Sequence, residues 1–214
     1  MPDPSNETAD ARLAERMLQG DTEALGELFS RHRHRLWRMV NFRLDRRLQG
    51  RLDADDILQE AYLSACQRLD HFTWESGRMP FIWLRLIVSQ TLIDVHRRHF
   101  GTQKRDPRRE MSISSGWSSE STSLSITGFL LGHLTSPSQA ALKAELSQQL
   151  EAALSTMSDI DREVLALRHF EELTNSETAQ VLDLSEQAAS VRYMRALARL
   201  RTIFEALDSD AQKR

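Results

Sequence analysis

The sequence predicts an all-α protein, made of two small helical domains joined by a flexible linker, with a helix-turn-helix in the C-terminal domain. Apolar residues recur at three- and four-residue spacing, and only 5 Pro and 8 Gly interrupt the 214 residues. Between the two periodic regions, eight of the fourteen residues in 112–125 are serine. Such a composition has little apolar surface to bury and is typical of a tether. The expected boundaries are 10–100 for the first domain, 101–140 for the linker and 141–207 for the second domain.

The first domain is expected to contain three main helices after a polar N-terminal tail. Asp21 is placed to cap the first, which carries an apolar stripe. The second begins near Asp53. The third runs from Pro80 to Arg98, with proline in the first turn, where its missing N–H leaves no hydrogen bond unmade.

The second domain is expected to contain four helical segments, at 141–156, 159–170, 174–182 and 185–206. Thr174 and Glu177 have the spacing of a capping box at the start of the third segment. Ser185 is the predicted N-cap of the last. A short helix, a tight turn and a longer helix form the pattern of a helix-turn-helix.

Charge on the last helix is segregated, although the whole chain has a net charge of only -3, which excludes a histone-like polycation. Residues 146–214 hold 8 basic and 12 acidic side chains, yet no acidic residue occurs from Gln187 to Phe204. A helix that reads DNA needs polar side chains near its N-terminus and cations for phosphates. The last helix therefore predicts DNA binding.

The loop at 71–78 combines aromatic and basic side chains. Phe72 and Trp74 precede Arg78, and single-stranded nucleic acid is bound by such stacking surfaces beside cations. The acid-rich start of the helix after Asp53 is explained by the helix dipole, so its spacing alone identifies no partner.

Catalytic and metal-binding patterns are not found in the sequence. The single cysteine, Cys66, excludes a disulfide framework and a four-cysteine zinc site. The pairs His32/His34 and His96/His99 lack the further ligands that zinc requires. There is no glycine-rich phosphate loop and no nucleophile elbow. We expect no metal, no cofactor and no enzymatic activity.

Targeting and membrane-spanning segments are also not expected. Residues 1–7 lack the basic and apolar regions of a signal peptide. The uncharged stretch 121–142 is rich in Ser and Thr, and its apolar part is too short to span a bilayer. These features predict a cytoplasmic protein with no membrane partner.

Taken in order, the motifs resemble those of bacterial RNA polymerase sigma factors of the extracytoplasmic-function (ECF) type. The similarity covers residues 10–206, although residues 101–140 are longer than the family's usual tether. It is carried by these motifs: Asp55-Asp56-x-x-Gln59-Glu60; Trp83-Leu84-x-x-Ile87, with Asp94 and Arg97-Arg98; Leu154 to Arg168; and the helix-turn-helix from Leu173-Thr174 through Ala196.

The resemblance implies a subunit that binds core RNA polymerase and directs promoter recognition and melting at transcription initiation. Contacts to the clamp helices of the largest polymerase subunit are implied for Asp55, Asp56, Gln59 and Glu60. Contacts to the minus-ten promoter element are implied for Phe72, Trp74, Arg78, Gln90, Arg97 and Arg98. Contacts to the minus-thirty-five element are implied for Gln187, Ser190, Arg192, Met194, Arg195 and Arg199. An anti-sigma factor is a further candidate partner.

Three other functions remain open from the sequence. A free-standing helix-turn-helix transcriptional regulator would form a stable dimer and bind paired half-sites. A helical adaptor, similar to an anti-sigma factor, would use the acidic helix and keep its activity when Arg192 and Arg195 are replaced. A metalloenzyme would contain stoichiometric zinc.

Overall fold

The computed structural model describes residues 4–45, 47–48, 50–75, 78–100, 119–134 and 140–212. These residues contain helices and no β-strand, which confirms the predicted all-α class. The α-helices are α1 (Pro4–Met17), α2 (Thr22–Arg43), α3 (Ala54–Gln67), α4 (Pro80–Phe100), α5 (Ser119–Leu134), α6 (Ala140–Ser155), α7 (Asp159–Leu165), α8 (Asn175–Leu182) and α9 (Glu186–Gln212). The chain divides into two compact units, Met1–Gly116 with Gln180–Asp183, and Trp117–Ala179 with Leu184–Arg214.

In the first unit, α2 packs against α1, α3 and α4 around a shared apolar core. Its start is fixed as predicted, because the Asp21 side chain accepts hydrogen bonds from the backbone N–H groups of Glu23 and Ala24 (2.9 and 3.1 Å). The amphipathic spacing places its apolar stripe inward. Fully buried side chains of this core include Leu25, Leu28, Leu36, Met39, Ile57 and Leu84.

Helix α1 corrects the prediction of a polar N-terminal tail. Leu13, Ala14 and Met17 are buried on one side of it, which is enough apolar surface to hold a short helix that is otherwise polar. Asp10, also buried, accepts hydrogen bonds from Arg31 Nε (3.0 Å) and bonds to His32 Nε2 (2.6 Å) on α2.

Asp10 is held ionised by these two partners. Burial by itself raises the pKa of Asp10, but the hydrogen bonds and electrostatic attraction of His32 and Arg31 outweigh it and hold the pKa below its usual value. The pairing fixes α1 to α2 through a buried charge.

In the second unit, α7 packs against α5 and α9, and α6 packs against α5 and α9. Helix α7 begins at the N-cap Ser158, whose hydroxyl accepts a hydrogen bond from the Asp161 N–H (3.2 Å), and continues into a π-helical turn, Ala166–Phe170. The last helix presents small residues to this core. Fully or almost fully buried side chains include Leu150, Leu154, Leu165, Leu167, Ala189 and Ala196.

Helix α5 (Ser119–Leu134) lies within residues 101–140, for which the sequence predicted a flexible linker, and it packs against other helices of the second unit. Ile126 is fully buried, and the buried Thr122 hydroxyl donates a hydrogen bond to Glu163 Oε2 on α7 (2.7 Å). A hydroxyl that finds such a partner is buried at little cost, so a Ser/Thr-rich composition does not prevent packing. The rest of the predicted linker, 101–118 and 135–139, lies outside the described residues.

Candidate functional site

The first candidate surface is the acidic face of α3, which we define as Asp55, Asp56, Gln59 and Glu60. All four side chains are exposed. The helix turns the opposite side inward, where the buried residues are Ala54, Ile57, Leu58, Ala61 and Ala65. The structure therefore brings the four predicted polymerase-binding residues together on one solvent-facing surface.

Hydrogen bonds and ion pairs hold the three carboxylates of the acidic face in place. Asp56 and Asp53 form a reciprocal capping box, in which each carboxylate accepts the other's backbone N–H (3.0 and 2.9 Å). Asp55 Oδ1 pairs with Arg33 Nη2 on α2 (2.8 Å). Glu60 Oε1 pairs with Arg98 Nη2 on α4 at 2.5 Å.

Gln59 differs from its neighbours, because its side chain makes no hydrogen bond within the described residues. Beside it, Leu63 is 57% exposed one turn further along the same face. The sequence interpretation did not single out Leu63. Leu63 follows Gln59 by four residues, a spacing that places the two side chains on the same face of a helix and could have indicated it.

The aromatic loop before α4 is packed more tightly than predicted. Phe72 is buried, and its ring meets that of Trp83 edge to face, with centroids 4.8 Å apart. Trp74 is half-buried and donates its indole N–H to the backbone carbonyl of Arg78 (2.6 Å). Phe72 is therefore a core residue in this structure, whereas Trp74 and Arg78 lie at the surface of the loop.

The other predicted minus-ten residues lie on the second half of α4. Gln90 Nε2 donates a hydrogen bond to Asp94 Oδ1 (3.1 Å), and Arg97 Nη1 lies 3.6 Å from the same oxygen. Arg98 lies beside Glu60 of the acidic face, and that hydrogen bond raises the pKa of the guanidinium. The structure thus links Arg98 to the predicted polymerase surface.

A tight turn joins α8 to α9. Thr174 and Glu177 form the predicted capping box (3.2 and 2.8 Å), and the Ser185 hydroxyl accepts the Ala188 N–H (3.1 Å) at the start of α9. Asp183 has a φ of 53°, in the left-handed region that Asp tolerates better than most residues. These contacts define the start of each helix, in agreement with the predicted order of short helix, turn and longer helix.

The outward side of α9 forms the second candidate surface, the recognition face, which we define as Gln187, Ser190, Val191, Met194 and Arg195. All five are exposed, whereas Ala189, Ala196, Leu200 and Ile203 on the opposite side are buried. Within the described residues, none of the five side chains makes a hydrogen bond or ion pair. Sequence reasoning missed Val191, although its position four residues after Gln187 was a usable signal.

Two of the predicted minus-thirty-five residues bond to side chains elsewhere in the second unit. Arg192 Nη1 pairs with Asp161 Oδ1 of α7 (2.9 Å), and both side chains are half-buried. Arg199 Nη2 donates a hydrogen bond to Thr156 Oγ1 (3.0 Å). The basic residues of α9 thus divide, with Arg195 on the recognition face and Arg192 directed to the rest of the unit.

The described residues contain no group of three or more His, Cys, Asp and Glu side chains placed to hold a metal ion. Among these same residues, none of the helices is both long enough and apolar enough to cross a membrane.

Comparisons with known proteins agree with this architecture. Residues 8–208 match the family model for ECF sigma factors. The chain is 25% identical over 200 residues to the ECF RNA polymerase sigma factor BldN of Streptomyces coelicolor, covering 94% of this chain and 66% of that protein. It is 25% identical over 209 residues to the ECF RNA polymerase sigma-E factor of Escherichia coli, covering 97% of each. A solved structure of CnrH in complex with the cytosolic domain of CnrY matches with a TM-score of 0.51 and 24% identity, covering 92% of this chain and 98% of that one.

The chain belongs to the ECF sigma factor family, because the family model matches nearly its whole length. Membership confirms the predicted function, a sigma factor in transcription initiation, over the free-standing regulator. Sigma factors are initiation factors and not enzymes, which agrees with the expectation for this chain.

Proposed function

We propose that the chain acts through three surfaces, one that binds core RNA polymerase and two that recognise the promoter. The acidic face binds the clamp helices of the largest subunit of core RNA polymerase. The loop before α4 and the second half of α4 engage the minus-ten element through Trp74, Arg78, Gln90, Arg97 and Arg98. The recognition face of α9 reads the minus-thirty-five element in the major groove. Catalysis belongs to the polymerase, so the chain itself is no enzyme and acts in the cytoplasm, where the polymerase is.

A single observation carries this proposal. Gln187, Ser190, Met194 and Arg195, singled out from the sequence as base-reading residues, converge on one exposed face and have no internal partner in the described part of the chain. A helix that enters the major groove needs side chains left free for base edges. Arg192 is instead paired with Asp161 and thereby connects α9 to α7.

Core polymerase is the partner that fits the acidic face. Two of its carboxylates are paired with arginines, which fixes their positions while leaving them exposed. A surface of oriented negative charge favours encounter with a basic partner and sets its register. We include an anti-sigma factor among the proposed partners, since the solved relative CnrH is in complex with the cytosolic domain of CnrY.

Reconstitution with core polymerase tests the proposal. The purified chain is mixed with core RNA polymerase and fragmented DNA of its own genome, and run-off transcripts are mapped. We expect transcripts from defined start sites that share an upstream sequence, and none from core polymerase alone. Failure of the chain to co-elute with core polymerase, or transcripts without a common element, would contradict the proposal.

A further inference from the structure

The centre of the recognition face is apolar. Val191 is 44% exposed and Met194 is 64% exposed. The two residues are three positions apart and therefore neighbours on the helix surface. Gln187, Ser190 and Arg195 surround them, so a small apolar patch lies within a polar and basic rim.

Apolar side chains at this position cannot bind phosphates, and they offer nothing to the donors and acceptors of base edges. The major groove of DNA has one apolar group, the 5-methyl of thymine, and apolar side chains contact it. Removing such a methyl from water is favourable, as for any apolar group. The lack of acidic side chains from Gln187 to Phe204 also leaves the helix compatible with the negative groove.

We propose that Val191 and Met194 are specificity-determining residues that contact thymine 5-methyl groups in the upstream promoter element. This inference rests on the proposed function of α9 and names the chemistry that it recognises. The element read by this protein presents thymine methyls opposite the centre of the helix. Arg195 and Gln187 are positioned to specify flanking base pairs by hydrogen bonds, for which arginine prefers guanine and glutamine prefers adenine.

Deoxyuridine substitution is the direct test, since it removes the methyl and leaves the pairing edge unchanged. In a promoter recovered by run-off transcription, each thymine of the upstream element is replaced singly by deoxyuridine. Transcription is then measured with holoenzyme containing the wild-type chain, Val191→Ala, Met194→Ala or Leu124→Ala. Leu124 is a matched control, because it is an exposed apolar residue on α5, away from the recognition face.

We expect one or two substitutions to lower wild-type transcription about fourfold each, the value of about 0.8 kcal/mol for one buried methyl. The effect of a given deoxyuridine should disappear in the variant that lacks its apolar partner, because two changes at one contact are not additive. Leu124→Ala should respond to deoxyuridine as the wild type does.

Three results would overturn the inference. The first is wild-type transcription that no deoxyuridine changes. The second is a deoxyuridine effect that is as large in Val191→Ala and in Met194→Ala as it is in the wild type. The third is weaker co-elution of these variants with core polymerase, which would assign the patch to a protein contact. If run-off transcription recovers no promoter at all, the proposed function itself fails. That outcome is distinct from the three results above, which overturn only the thymine contact.

Discussion

The acidic face of α3 and the recognition face of α9 are both exposed, yet their polar side chains are held in opposite ways. On α3, Asp55 and Glu60 are paired with arginines of neighbouring helices, and Asp56 is part of a capping box. On α9, the side chains of the recognition face have no partner among the described residues, while Arg192 fixes the helix from behind. The difference agrees with the proposed function, in which the acidic face docks one constant protein partner and the recognition face forms its hydrogen bonds with DNA.

The recognition face is presented by α9 only if the helices that pack against α9 are folded. Helix α5, which packs against two of these helices, α6 and α7, was not predicted from the sequence. Replacing the fully buried Ile126 with Ala should destabilise the second unit by about 2–4 kcal/mol, through lost burial and a cavity. Chemical denaturation followed by circular dichroism measures this loss. The exposed Leu124→Ala is the control, with an expected change below about 0.5 kcal/mol. Equal effects of the two variants would contradict the burial of Ile126 in the core of the second unit.

Two arginines of α9 offer a sharper comparison within one helix. Arg195→Ala should lower promoter-dependent transcription about fivefold or more, since a good arginine–base contact contributes about 1–3 kcal/mol, and should leave the unfolding free energy unchanged. Arg192→Ala should instead lower the unfolding free energy by about 1–2 kcal/mol, because Asp161 loses its ion-pair partner. Run-off transcription and denaturation of both variants provide the measurements. The assignment fails if the two variants exchange these effects.

Gln59 gives the smallest expected effect and tests the acidic face without disturbing the fold. Its side chain makes no hydrogen bond within the described residues, so Gln59→Ala should leave stability unchanged. Affinity for core polymerase should fall about fivefold, corresponding to about 1 kcal/mol. Titration of labelled chain with core polymerase measures it. The exposed Gln148→Ala on α6 is the matched control, and an equal loss in that variant would reject the acidic face as the docking surface.

The sequence predicted those helices whose first residues are capped by a nearby side chain. Asp21, Thr174 and Ser185 cap helices as expected, because a cap depends on side chains within a few residues of it. The helix predicted to begin near Asp53 is capped by that residue. Helices α1 and α5 were missed, since each is stabilised by long-range partners. Asp10 bonds to Arg31 and His32, and Thr122 bonds to Glu163. Spacing along the chain contains no information on such contacts.

The candidate site was predictable to the same extent. The resemblance to ECF sigma factors supplied the acidic residues of α3 and most of the recognition residues of α9, and in each helix their spacing is compatible with one face. It could not show that Phe72 would be buried against Trp83, because aromatic residues serve cores and stacking surfaces equally well. Nor could it show that Arg192 would face Asp161, which depends on how α7 packs against α9.

The side chains of the recognition face have a further consequence for how such a protein can change over generations. They are exposed and contribute no hydrogen bond or ion pair to the fold within the described residues, so substitutions there have little effect on folding. Under the proposed function, a lineage can therefore acquire new target genes by altering Gln187, Ser190 or Met194, without first acquiring compensating mutations elsewhere. The paired carboxylates of α3 allow no such freedom, and we expect inheritance to conserve them more strictly.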